Sequence, residues 1–269
     1  MKIFLWTSFG VLVLMFGLLS QQKKTKNFVI LSYNIYHGEH PYQKNQSNVT
    51  QVAQLIRKIN PDLVAMQEVD SMTLRTATLH DGTKVNLMQE WAKLTGMDSF
   101  FAKAITFSEG AYGEGLLLGY PAITESLSLP TPLGGEGRAL ALATLTLDDG
   151  SKLSFGGTHL CHEFEENRTA QVTAILAHVE KMDHPLIIAG DFNFEMDAPG
   201  YAKMSEKFFD TALEFGKPQA TYSSKDPKIR IDYIWLSKNH PWQIKSAKVL
   251  PADYSDHLPL LVEVSLGFL

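Results

Sequence analysis

The run Pro185-Leu186-Ile187-Ile188-Ala189-Gly190-Asp191-Phe192-Asn193-Phe194 decides the fold. A short apolar stretch stopped by glycine reads as a buried strand ending at a turn. Asp191 and Asn193 follow two residues apart, so an extended backbone would point both side chains the same way at the strand's carboxyl end. That sets an acceptor-only carboxylate beside an amide, over a cleft.

Other stretches repeat the form of an apolar run followed by polar groups. Residues 28–36 offer Asn34, residues 62–69 offer Gln67 and Glu68, and residues 153–162 offer His159. Further on, residues 230–236 hold Asp232 inside a strand-like run, and Ser255-Asp256-His257 precedes another. Strand ends on one edge of a sheet converge in space although they are distant in sequence. Carboxylates, asparagines and histidines meeting there suit a hard divalent cation and a phosphate.

At 269 residues and 45% hydrophobic the chain can bury a large core. No repeat, low-complexity tract or flexible linker divides it, so residues 27–269 read as one domain. The first twenty residues stand apart: Lys2, a nearly uncharged apolar run at 3–19, then Ser20 and a basic leader at 21–26 with Lys23, Lys24 and Lys26. This is the pattern of a secretory signal peptide cleaved after Ser20. The alternative is an uncleaved anchor facing outward, the only membrane contact the sequence suggests. The single cysteine, Cys161, excludes an intramolecular disulfide and reads as a small residue beside a strand end. A net charge of −5 disfavours nucleic acid, whose non-specific binders are usually basic.

Periodicity predicts helices at 48–59, 86–94, 165–180 and 198–208, the first capped by Ser47 or Asn48. Between residues 100 and 155, short runs punctuated by glycine and proline predict antiparallel hairpins or a meander. Strands are expected at 231–236, 244–249 and 258–264. A strand, a helix and a strand over residues 27–69 suggest a β-α-β unit that brings Asn34 and Glu68 to one edge. Two sheets packed face to face under outer helices would bury all these apolar faces.

The residue types assign roles. Glu68 and Asn34, with Asp256 directly or through water, suit Mg²⁺, which needs only one or two protein carboxylates. Asp232 would fix the tautomer of His257 and favour its imidazolium. Asp191 would deprotonate the attacking water while Asn193 and His159 hold phosphoryl oxygens. Arg138 is a weaker phosphate candidate, since Glu136 could pair with it. His37, His40, His162, Arg75 and Arg168 are candidate pocket residues.

Together, Ser-Tyr-Asn-Ile at 32–35, Gln-Glu-Val at 67–69, Thr-His-Leu at 158–160, Gly-Asp-Phe-Asn at 190–193, Arg-Ile-Asp-Tyr-Ile at 230–234 and Ser-Asp-His at 255–257 resemble the ordered motifs of the endonuclease/exonuclease/phosphatase superfamily. The resemblance runs from about residue 28 to 264. It implies a four-layer α/β/β/α sandwich, a DNase I-like fold, and single-step hydrolysis of a phosphoester by water with Mg²⁺, or Mn²⁺ as the alternative ion. By similarity Asn34, Glu68 and Asp256 would serve the metal, His159, Asn193 and His257 the phosphate, Asp191 the water, and Asp232 would partner His257. Tyr112-Gly113 resembles the family segment carrying a phosphate-side Tyr or Asn, although the usual following asparagine is Glu114 here. Abasic-site endonucleases carry an aspartate where this chain has Tyr36. Arg168 and Gln171 after Thr-His-Leu look more like exported bacterial members.

The expectation is therefore a secreted or periplasmic, monomeric, Mg²⁺-dependent phosphodiesterase or phosphomonoesterase acting on a small-molecule or lipid-headgroup phosphoester. An extracellular nuclease is the alternative within the same chemistry. A catalytically silent binding module is the alternative outside it.

Overall fold

A computed structural model describes residues 25–267. The expected leader at 1–20 and its cleavage point lie outside the described residues. Strand β1 (Thr25–Asn34), helix α1 (Val49–Ile59) and strand β2 (Leu63–Ser71) open the chain. Val49, Val52, Ala53 and Ile56 bury one face of α1, and Asn60 ends it in a left-handed conformation ahead of Pro61. The crossover makes β1 and β2 parallel, with Asn34 opposite Gln67. Their carboxyl ends share an edge.

Helices α2 (Leu74–Leu79) and α3 (Leu87–Thr95) and the hairpin β3 (Asp98–Phe107) and β4 (Gly110–Leu118) follow. Next come β5 (Ala122–Leu129), β6 (Arg138–Thr146), β7 (Lys152–His159), α4 (Glu165–Val179) and β8 (Leu186–Asp191). The chain finishes with α5 (Pro199–Lys207), β9 (Phe208–Asp210), α6 (Thr211–Glu214), β10 (Asp232–Ser237), β11 (Trp242–Val249) and β12 (Leu260–Gly267). Two six-stranded sheets result, ordered β11-β12-β1-β2-β4-β3 and β5-β6-β7-β8-β10-β9. Each sheet holds one parallel pair made by a helical crossover, β1 with β2 and β7 with β8. In the second pair His159 lies opposite Asp191. Both crossovers deliver polar strand ends to the same end of the molecule.

Three apolar layers fix this stacking. Phe28, Leu116, Phe155 and Ile234 pack between the sheets. Tyr33, Met66 and Trp91 fill the space under α1 and α3, while Val172, Phe192 and Trp235 fill that under α4 and α5. Each such side chain contributes roughly 1.5–3 kcal/mol on burial. The four-layer α/β/β/α arrangement is the one expected from sequence. Two glycines set its close approaches. A Cβ on Gly157 would lie 2.8 Å from Leu116 Cδ2 and 3.2 Å from Ala65 Cβ, across the inter-sheet gap. On Gly190, at φ +154°, it would lie 1.9 Å from the Thr158 carbonyl oxygen, so no other residue lets β8 pair with β7 here.

Several local expectations are corrected. Asp191 ends β8, and Asn193 has φ 49°, so the backbone turns instead of staying extended. The Asn193 N–H donates to Asp191 Oδ1 at 2.9 Å, an Asx turn that replaces the shared strand face. Asn48 is the N-cap of α1, but its side chain makes no capping bond: its Nδ2 donates to the Ile35, Glu39 and Tyr254 carbonyls. The Ser47 hydroxyl accepts from the Val49 N–H instead. The region at 100–155 forms the antiparallel hairpins expected, not one continuous meander, because the chain leaves one sheet after β4 and enters the other at β5. Helix α2 was not expected. Among the described residues, no helix is long and apolar enough to cross a membrane.

Candidate active site

Glu68 is delivered by a β-bulge. Between Met66, paired with Gly115, and Val69, paired with Gly113, both Gln67 and Glu68 face the single residue Glu114. Glu68 takes the left-handed conformation, φ 61°, and this turns its carboxylate out of the sheet edge toward the neighbouring strand ends. Burial alone would raise its pKa, but His37, His159 and the Asn34 amide draw it down to about 2. The carboxylate is therefore ionised at neutral pH. Asn34 Nδ2 donates to Glu68 Oε1 at 3.1 Å and to Asp191 Oδ2 at 3.2 Å, bridging the two sheets. Its Oδ1 accepts from the Tyr36 N–H, so Asn34 presents its nitrogen to the carboxylates.

Asp191 sits at the centre. His159 Nε2 and His257 Nε2 each lie 3.5 Å from its Oδ2. Burial raises its carboxyl to about 7 against the pull of His257. A carboxylate tuned to neutrality is suited to accept a proton from water.

The two histidines have opposite partners. His257 Nδ1 and Asp232 Oδ2 are 2.9 Å apart at the start of β10. Burial works against the charged ring, but Asp232 and Asp191 prevail and lift His257 to about 10. His159 is instead held well below the ordinary histidine value, by burial and by the neighbouring Arg138 charge. The Asp256-His257 segment is fixed to β10's approach by the bridge between Tyr222 and His257, and the Tyr222 ring lies 4.8 Å from the imidazole.

The remaining expected residues are placed as follows. Asp256 lines the same pocket as Glu68, His159, Asp191, Asn193 and His257, and burial with the Glu68 charge raises its carboxyl. Asn193 also donates to the Leu160 carbonyl at 3.0 Å, tying the end of β7 to the turn after β8. Arg138 is 2 % exposed; Nη1 reaches Glu136 Oε1 at 2.6 Å and His159 Nδ1 at 3.3 Å. Arg168 Nη1 braces the Cys161 and His162 carbonyls, and its side chain and Tyr112 line the pocket wall. His37 lies behind Glu68, with Nδ1 at 3.6 Å, outside the pocket lining. Arg75 is engaged by Asp70 and His40 by its own loop, so neither joins the pocket.

Glu114 is fully buried, with neither carboxylate oxygen meeting a hydrogen-bond partner among the described residues. Burial pushes its carboxyl well above the ordinary value, against the pull of the neighbouring Arg138 charge.

Two arrangements could hold a cation. Asp191, Asp232 and His257 bring ligand atoms within 4.8 Å of one another, yet the hydrogen bond between Asp232 and His257 makes that group an imidazolium–carboxylate pair. The ionised Glu68 with the neighbouring Asp256 offers hard oxygens and unbalanced negative charge, which suits Mg²⁺ retaining most of its waters. Tyr222 and the bracing role of His37 escaped the sequence reading, whereas the expected pairing of Glu136 with Arg138 is present. Tyr222 lies just after an unremarkable Thr221, and His37 acts through Glu68, a neighbour that only the fold reveals.

The pocket spans about 610 Å³. Beyond the central groups its lining carries Glu136, Glu165, Glu195 and Asp197 against Arg138 and Arg168. No curated protein matches this chain. Among solved structures, an endonuclease/exonuclease/phosphatase from Beutenbergia cavernae is 20% identical, covering 90% of this chain and 72% of that one at TM-score 0.74. The mannosyl-6-phosphatase of Bacteroides thetaiotaomicron is 16% identical over 90% of this chain and all of its own, at TM-score 0.72. The human nocturnin catalytic domain with bound sulfate is 20% identical over 91% and 98% of the two chains, at TM-score 0.68. At these identities the likeness is one of fold. The model of the Endonuclease/Exonuclease/phosphatase family matches residues 31–257, which take in Asn34, Glu68, His159, Asp191, Asp232 and His257. On that match, and with the matched polar residues meeting where strand ends of the two sheets converge, the chain belongs to this family of phosphoesterases.

Proposed function

We propose that this protein is an exported, monomeric, divalent-metal-dependent hydrolase that cleaves a small or lipid-headgroup phosphoester by direct attack of water. The observation that carries this reading is the position of Asp191, whose Oδ2 has a histidine Nε2 on two sides at 3.5 Å and the Asn34 amide on a third. Asp191 takes the proton of the attacking water. His257, charged through Asp232, donates to a phosphoryl oxygen or to the leaving group, and His159 and Asn193 donate to the oxygens where charge builds. Glu68 and Asp256 would hold Mg²⁺, with Mn²⁺ as the alternative, and a bound ion would neutralise phosphoryl charge.

The pocket rim supports a small substrate. Four carboxylates beyond the central groups oppose two arginines, and Arg138 is already paired with Glu136. A polyanionic nucleic acid would meet repulsion there. Export rests on the apolar segment at residues 3–19.

The test is hydrolysis of p-nitrophenyl phosphate and bis-p-nitrophenyl phosphate by the mature domain, with Mg²⁺, Mn²⁺ or EDTA, beside His257→Ala. Metal-dependent release that the variant loses is expected, and the preferred ester separates monoesterase from diesterase. If neither these esters nor a panel of sugar phosphates, lipid headgroups and oligonucleotides is cleaved, the enzyme reading falls and a binding module takes its place. Preferential cleavage of oligonucleotides would replace the small-substrate reading with a nuclease.

A further inference from the structure

Arg138 opens β6, is almost wholly buried, and forms part of the pocket wall. Its two terminal nitrogens face two imidazoles. Nη1 lies 3.3 Å from His159 Nδ1 and Nη2 lies 3.2 Å from His162 Nδ1. A guanidinium has five N–H donors and no acceptor, and it does not lose its proton in proteins. Each Nδ1 must therefore be the acceptor and carry no hydrogen. The proton of a neutral ring is then on Nε2, which in His159 is the nitrogen aimed at Asp191 Oδ2. Glu136 holds the guanidinium in place at 2.6 Å from Nη1.

We infer that Arg138 is a positioning residue, fixing His159 in the Nε2–H tautomer so that this histidine meets the phosphoryl group as a hydrogen-bond donor. The inference rests on the phosphoesterase reading above. The same guanidinium gives His162 the same tautomer at the pocket wall. Arg138 thus acts on the phosphate through a ring, in contrast to an arginine that grips the oxygens itself. Both terminal nitrogens are engaged before substrate arrives, and Nε is left without a partner among the described residues. The arrangement also separates the two central histidines by the sign of their partners, a cation behind His159 and a carboxylate behind His257.

The experiment combines nitrogen NMR of ¹⁵N-histidine-labelled wild type with a double-mutant cycle. The His159 signals, assigned by their loss in His159→Gln, should show a neutral ring protonated on Nε2 at pH 7. Arg138→Met should lower kcat on the preferred p-nitrophenyl ester by about 10²-fold, the scale of losing one preorganised donor, with little change in KM. Adding Arg138→Met to His159→Gln should cost little more, because the two residues act as one unit. Arg138→Gln, whose amide still donates to Nδ1, should recover much of the loss and the Nε2–H pattern.

A His159 ring protonated on Nδ1, or an imidazolium, in wild type at pH 7 would overturn the inference. So would losses that multiply in the double variant. If Arg138→Met does not fold, the wild-type spectrum and Arg138→Gln decide. If wild type cleaves no phosphoester, the functional reading falls while the spectrum still decides the tautomer.

Discussion

His159 and His257 stand at equal distance from one carboxylate oxygen, one contributed by β7 and the other by the loop before β12, and the protein treats them in opposite ways. Both Nε2 atoms lie 3.5 Å from Asp191 Oδ2. Behind His257 is the carboxylate of Asp232, and the ring is driven to about 10. Behind His159 is the guanidinium of Arg138, and the ring is driven the other way. The lesson is that a histidine's role in such a site is set on its far side. The near side, facing the substrate, is almost the same for both.

The sharpest way to break this comparison is to neutralise one far side. Asp232→Asn should leave the fold intact and reduce kcat by roughly 10³–10⁴-fold, the scale seen when a buried carboxylate that orients a catalytic histidine is removed. A loss under tenfold in steady-state kinetics would mean His257 needs no carboxylate. His159→Gln should cost less, about 10²-fold, because an amide replaces one hydrogen-bond donor without removing a proton carrier. If His159→Gln proves as damaging as Asp232→Asn, the division into donor and acid is wrong.

Between the two histidines, Asp191 and Glu68 titrate with opposite sign. Asp191 is raised from 3.8 to about 7, so its contribution to folding is fully present below 3.8 and is lost as pH rises through 7. Glu68 is lowered from 4.5 to about 2, so its contribution is present above 4.5 and is lost as pH falls through 2. His257, raised from 6.5 to about 10, contributes fully below 6.5 and loses that contribution through 10. Asp191→Asn should therefore abolish activity yet stabilise the fold above pH 7, on the order of 1 kcal/mol in denaturant unfolding. A destabilised variant at pH 8 would show that Asp191 is a structural anion. Asn48→Ala should instead cost about 2 kcal/mol of stability, since its amide group donates to the Ile35, Glu39 and Tyr254 carbonyls, the first of them in a buried bond. The smallest effect expected is from Tyr222→Leu, which keeps an apolar cover over the His257 ring and should change kcat by less than about tenfold, the scale of a single aromatic contact.

Much of this site was legible because its residues stand at the ends of apolar runs. Residues 28–34 and 185–191 carry an unmistakable strand signal, and the chemistry starts where each stops. The pairing of Asp232 with His257 could be anticipated because an aspartate within an apolar strand needs a partner. Other features depend on close approaches between segments far apart in sequence. The contact from Arg138 to His159 joins β6 to β7 at a register no periodicity encodes, and the adjacent Glu136 offered a simpler partner. The bulge at Gln67 and Glu68 is an offset of β2 against β4, invisible in either strand alone. Asn48 stands at the helix cap as its type and position suggest, but its amide is oriented to donate to three carbonyls and its side chain makes no capping bond. The Asx turn at Asn193 is hidden because Phe192 and Phe194 sustain an apolar alternation across it, which an extended backbone would also show.

The most direct test of the central claim is the pH profile of kcat/KM for wild type beside Asp232→Asn, on whichever p-nitrophenyl ester is cleaved. With Asp191 as base and His257 as acid, the wild-type profile should be a bell with limbs near 7 and near 10. In Asp232→Asn the alkaline limb should fall toward the ordinary histidine value, and the bell should collapse. An alkaline limb that stays in place without the Asp232 carboxylate would contradict the claim that the far side of His257 sets its role.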